Sequence, residues 1–180
     1  EAHVLDMGKK GDVAGALNAV ADSAGGIAGR IAKQLAKVVG DVKIEVVSNL
    51  GSAGEFDPKT NTIKLDSKLG VNAHTFLHEA VHAATSHVLE NKSHPVTKQL
   101  QKLFEDVKDS LDTAYGAQSL DEFVAEAFGN PEFQAKLQAI NPKGEPITAW
   151  QRFSNTIQNF LRRMVGMEPT GLTSFDKADE

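Results

Sequence analysis

Apolar residues recur at threes and fours through Val13, Leu17, Val20, Ala24, Ile27, Ile31, Leu35 and Val38, which places them on one stripe of an amphipathic helix. The spacing predicts one long helix, loosened at its middle by Gly25-Gly26 and stopped at Gly40. The β-branched run VKIEVVS reads as a strand. A Gly/Ser stretch follows, then Asp57-Pro58, a turn signal, and then Thr62-Ile63-Lys64-Leu65, where polar and apolar alternate. We therefore expect a short hairpin or meander with one face buried and one wet, as at the edge of a small sheet.

Beyond Asn72 the period is helical almost throughout. One helix is expected over about 72–90. A second begins after Pro95, carries Leu100, Leu103, Phe104, Val107 and Leu111 on one face, and ends near Gly116. A third starts at Ser119, with Glu122 three positions on as a candidate capping box. Gly129-Asn130-Pro131 breaks it, a further helix runs to about Ile140, and the last bears Trp150, Phe153, Ile157, Phe160, Leu161 and Met164. The order is one helix (1–40), a small sheet (41–70), helices (71–128), more helices (129–166) and a polar, loose tail (167–180). This describes a single α+β domain, predominantly helical.

Composition narrows the chemistry. At 180 residues and 41% hydrophobic, the chain suits one domain with one core. A net charge of -5 lacks the basic surface of a general nucleic-acid binder, and Arg162-Arg163 reads as a solvated helix face. No apolar run is long enough for a membrane span, and the start is not a signal peptide, so no membrane partner is expected. The opening Glu1 leads us to expect a piece of a larger polypeptide or assembly. There is no cysteine, so any metal must be held by His, Asp or Glu. Gly51 and Gly54 lack the spacing of a phosphate cradle.

Residues 77–88, LHEAVHAATSHV, raise the metal question directly. At about 100° per residue, His78 and His82 project from one helix face a turn apart, with Glu79 beside them. Leu77, Ala80, Val81, Ala84 and Val88 fill the opposite side. Two neutral imidazoles so placed can bind Zn²⁺ while the glutamate reaches the metal's water. A catalytic zinc needs a third protein ligand, and the stretch YGAQSLDEFVAEAF offers Glu122 and Glu126, four apart over an apolar side of Phe123, Val124, Ala127 and Phe128. Alone, such an acidic pair is an ordinary surface feature; beside the two-histidine helix it becomes a candidate.

These segments resemble the glutamate-ligated zincins, or gluzincins. The segment is similar to that of the anthrax lethal factor type of metalloprotease. Its third-ligand segment reads Tyr-Gly, five residues, then Glu-Phe-aromatic-Ala-Glu-Ala-Phe, and here Tyr115-Gly116 is followed after five residues by Glu122-Phe123-Val124-Ala125-Glu126-Ala127-Phe128. The resemblance covers about 74–128, and Val124 departs from the aromatic of the pattern. It implies a zincin-like fold with a small N-terminal sheet packed on the HExxH helix. It implies Zn²⁺ held by His78, His82 and Glu122, Glu79 as general base, Tyr115 as hydroxyl donor to the oxyanion, and Glu126 supporting a ligand histidine. Together, GEFDPKTNTIKLDSK…HTFLHEAVHAAT and the later AWQRFSNTIQNFL are similar to zincin-type domains in very large phage polyproteins. That likeness implies a virion-associated domain or one delivered into a host cytoplasm.

The expected function is a zinc-dependent endopeptidase acting on a protein or peptide substrate, which would lie extended along the strand carrying Thr62, Ile63, Lys64 and Leu65. Two other readings stand beside it. One is a non-catalytic zincin-like scaffold or docking module of a larger protein. The other is a closed structural zinc site recruiting His74, His87 or His94, disfavoured because such sites are dominated by cysteine.

Overall fold

The computed structural model describes Asp6, residues 12–24, residues 26–164 and Gly166. The expected tail at 167–180 lies outside them, as does Gly25. Where one long helix was expected there are two, α1 (Val13–Ala24) and α2 (Gly26–Val38), packed against each other. Asp12 caps the first, its carboxylate accepting from Gly15 N at 2.7 Å. Gly29 permits the close approach, since a Cβ there would sit 2.7 Å from the Ala21 carbonyl oxygen. Val13, Leu17, Val20 and Leu35 are buried, so the apolar stripe read from the sequence is used by two short helices. Gly40, at φ +56, follows the second helix as its stop.

Three strands follow: β1 (Lys43–Val47), β2 (Gly54–Asp57) and β3 (Thr62–Asp66). The β2–β3 hairpin is present, its turn tied by the Asp57 carboxylate accepting from Lys59 N and the Thr60 hydroxyl. The sheet order is β1-β3-β2, with β1 parallel and β2 antiparallel to β3. The strand expected at an edge is thus the central one, and Thr62, Ile63, Leu65 and Asp66 are all buried in it. Of its five residues only Lys64 is not fully buried, and its ammonium meets Glu55 on β2 at 3.0 Å. Asp66 pins the loops around the sheet, accepting from Leu50 N, Lys68 N and Leu69 N.

Helix α3 (Ala73–Glu90) begins at Asn72, whose side chain accepts from Thr75 N. Its back face is the expected one: Leu77, Ala80 and Val81 are buried, and Ala84 and Val88 pack against the core. Helix α4 (Pro95–Val107) has Pro95 in its first turn and His94 as cap. It ends well short of Gly116. Leu111 stays buried, but the chain leaves the helix through a 3₁₀ turn (Lys108–Ser110) and a left-handed residue, Asp112 at φ +56. A second 3₁₀ turn carries Tyr115–Ala117.

Helix α5 (Leu120–Gly129) lies against α3; α6 (Pro131–Ala139) and α7 (Ala149–Met164) close the core. Phe123, on the buried side of α5, meets Phe104, Phe133 and Phe153 at ring separations of 5.5, 5.8 and 5.9 Å. These tilted and edge-on contacts join α5 to α4, α6 and α7 at one point. The molecule is therefore α+β, mostly helical, with a three-stranded sheet against α3. Among the described residues, no helix is long and apolar enough to cross a membrane.

Because Phe123 is fully buried at the meeting point of four helices, Phe123→Ala is expected to cost about 3–5 kcal/mol of stability, read by urea unfolding of the metal-free protein. A loss under about 1 kcal/mol would show that α5 is not held from behind in this way.

Candidate metal centre

Helices α3 and α5 turn their polar faces toward each other. From α3, His78 and His82 bring their Nε2 atoms within 3.1 Å of one another. From α5, Glu122 Oε2 lies 3.1 Å from His78 Nε2 and 3.8 Å from His82 Nε2. The three side chains form a group whose ligand atoms all lie within 4.8 Å of one another. Zinc bonds of 2.0–2.1 Å in a tetrahedron place neighbouring ligand atoms about 3.3 Å apart, so these separations are those a tetrahedral cation imposes. Glu122 Oε2 is also a buried atom without a well-directed hydrogen bond, its nearest polar neighbours being the two Nε2 atoms. A cation bound between them would satisfy all three. The donor set of two imidazoles and a carboxylate suits a metal ion.

Local sequence explains how Glu122 arrives there. Ser119 caps α5, its hydroxyl accepting from Glu122 N at 3.2 Å. In a full capping box the glutamate side chain would reach back to the cap; here the Glu122 carboxylate lies at the imidazoles instead. Asp121 and Glu122 sit in the first turn, where the helix dipole favours negative charge. One turn on, Glu126 Oε1 lies 3.3 Å from His78 Nδ1. A proton on Nδ1 directs the lone pair of His78 Nε2 toward Glu122 and His82.

Glu79 is 6% exposed and stands beside the group. Burial pushes its carboxyl above the usual range, with His82 and His78 opposing. Strand β2 crosses directly over it, so close that a Cβ on Gly54 would fall 3.0 Å from Glu79 Oε1. Tyr115, on its 3₁₀ turn, is half exposed with its ring centroid 6.3 Å from that of His78. It is therefore not a core residue, and burial together with the nearby Glu122 raises its phenol further, keeping the hydroxyl protonated.

These residues line an open cleft of about 370 Å³ whose other wall includes Gly54, Glu55, Phe56 and Pro58. Thr62, Ile63, Lys64 and Leu65 are not part of it. They were expected to bind substrate by backbone pairing, but β3 is flanked by β1 and β2 and has no open edge. The wall is β2. Because Asp66 N donates to the Ala53 carbonyl, the antiparallel alternation turns the N–H and C=O groups of Gly54 and Phe56 away from β3. Sequence reasoning gave β2 as half of a hairpin but not as the cleft wall, and it missed Ser86, Glu90 and Asp121, which also line the cleft. Ser86 and Glu90 were findable, since they continue the His78–His82 row at steps of four.

Among the described residues, His74 and His94 do not complete a closed site. His74 Nδ1 is engaged by the Gly129 carbonyl at 2.8 Å, and His94 caps α4 and sits edge-on to Phe160. The His87 side chain lies outside the described part. Among the described residues the metal-binding group has three members. Comparison with known proteins finds no match among family models, curated proteins or solved structures.

The imidazoles and carboxylates of this group couple strongly to one another. Burial disfavours the His78 imidazolium, but Glu122 and Glu126 outweigh it and raise this group to about 9. Burial likewise opposes charge on Glu122, and His78 and His82 nevertheless hold its carboxyl well below the usual range. In the metal-free protein at pH 7, His78 therefore carries a proton that a cation must displace. Zinc uptake at pH 7 is expected to release about one proton, measured by calorimetry in buffers of different ionisation heat. Affinity should rise with pH up to about 9, because His78 is increasingly deprotonated across that window. No proton release would mean that His78 does not change protonation on binding. Glu122→Ala removes one of three ligands, and zinc retained after dialysis should fall from about one per chain to near zero. Stoichiometric zinc in that variant would place the ion elsewhere.

Proposed function

We propose that this chain is a zinc-dependent endopeptidase of the glutamate-ligated zincin type. The observation that carries the reading is the convergence of His78, His82 and Glu122 on the floor of an open cleft beside an unpaired strand edge. A zinc ion held by these three residues would supply a water of lowered pKa and polarise the scissile carbonyl.

The chain's own residues divide the rest of the work. The backbone groups of Gly54 and Phe56 pair with an extended peptide, as an added strand pairs with any sheet edge, and this fixes the scissile bond across the cleft. Glu79 takes the proton of the attacking water and returns it to the leaving amine; its raised carboxyl suits a group that must both accept and release a proton near neutral pH. The Tyr115 hydroxyl, reaching in from its exposed turn, donates to the developing oxyanion, a role typically worth about 3 kcal/mol. Glu126 keeps His78 oriented throughout. Glu55, Glu90 and Asp121 line the cleft, and among the described residues no Lys or Arg does, which favours substrates with basic side chains.

The test is a peptide-library digest by the zinc-loaded parent and by Glu79→Gln. The variant is expected to keep its zinc and lose at least about a hundredfold in cleavage rate. Lys and Arg should be enriched near the cleaved bonds. A parent that binds zinc but cleaves nothing points to the scaffold reading, and equal cleavage by Glu79→Gln removes Glu79 as the base. Cleavage without basic enrichment removes the charge argument alone.

A further inference from the structure

The break at Gly129-Asn130-Pro131 does more than separate α5 from α6. Asn130 Oδ1 accepts from Glu132 N at 3.0 Å and Phe133 N at 3.2 Å, and so caps α6. The other end of the same carboxamide, Nδ2, donates to Glu126 Oε2 at 2.7 Å. Glu126 is 6% exposed, and its second oxygen, Oε1, is the one facing His78 Nδ1. The remaining neighbour, His74, is 3.9 Å away at Nε2, too far for a hydrogen bond, and its Nδ1 is held by Gly129.

We infer that Asn130 is a positioning residue for the metal centre. It fixes the Glu126 carboxylate so that Oε1 accepts the Nδ1 proton of His78 and the Nε2 lone pair stays aimed between Glu122 and His82. The terminal torsion of a glutamate is broad and soft, so one anchored oxygen decides where the other points. Asparagine suits the place because one side chain supplies an acceptor to the helix N-terminus and a donor to the carboxylate. Aspartate would cap equally well but has no donor; serine caps but is too short to reach Glu126 as well. The helix break thereby ties α6, which starts at Pro131, to a ligand on α3. The inference rests on the metal-centre reading above.

The test measures zinc affinity by competition with a chromophoric chelator, alongside thermal melting of the metal-free proteins, for the parent, Asn130→Ser and Asn130→Asp. Both variants retain a capping side chain, so Asn130→Ser should melt close to the parent in the metal-free form, while Asn130→Asp, which sets a second carboxylate against Glu126, should melt lower. Zinc affinity should fall about 10–100-fold. Because Asn130 acts through Glu126, adding Asn130→Ser to Glu126→Ala should cause no further loss; this comparison decides the matter even if the single variants melt lower. Unchanged affinity in both single variants, or losses that multiply in the double variant, overturns the role of Asn130 and leaves the metal centre standing. A parent that takes up no zinc overturns both.

Discussion

A carboxylate withdrawn from water needs positive charge or hydrogen-bond donors near it, and Glu122 meets that need with the two imidazoles of α3. This constraint organises the centre of the molecule. A slide of α5 by one turn, about 5.4 Å, would move Glu122 and Glu126 along α3 by one carboxylate position and break the pairing of Glu122 with both imidazoles. The polar faces of α3 and α5 therefore register each other, while their apolar backs face the core. Leu77, Ala80 and Val81 lie behind one face and Phe123, Val124 and Ala127 behind the other. Polar pairing in front and aromatic packing behind specify the same arrangement, which is how a buried charged group becomes tolerable.

The sheet serves as a wall of the cleft and, through Ile63 and Leu65, as part of the core. Its central strand β3 is buried and its contribution is structural: it holds β2 over α3 at a distance that only a glycine at position 54 allows. A side chain there would push β2 away from Glu79 and widen the cleft. The two ends of the floor have different chemistry. Near Gly54 lie Glu79 and the two histidines of the candidate metal group; farther along α3, Ser86 and Glu90 extend the row into an acidic end. Gly116 shows the same economy on the opposite rim, where a Cβ would lie 2.5 Å from the Phe133 ring, so the turn carrying Tyr115 rests directly on α6.

Much of this was legible in the chain. The four-residue step from His78 to His82, the Ser119 cap, and the Asn130-Pro131 break each follow from local rules that do not depend on distant residues. Two expectations failed for a shared reason. The long N-terminal helix became two because the apolar stripe does not say whether its halves run on or fold together; Gly29 against Ala21 settles that in space. Likewise the alternation at Thr62–Leu65 does not reveal how many neighbours a strand has.

Sequence alone determined which side chains share a helix face, where helices start and break, and that any cation here must be held by nitrogen and oxygen, because those depend on helical period, capping chemistry and the lack of cysteine. Helical period left Glu122 and Glu126 equivalent, with only the resemblance preferring Glu122; the tertiary structure brings Glu122 to both Nε2 atoms and makes β2 rather than β3 the border of the cleft. Both choices are relative placements of segments far apart along the chain. Two carboxylates one turn apart on the same face are equivalent until the neighbouring helix selects a height, and a strand becomes an edge only when its partners have taken the other positions.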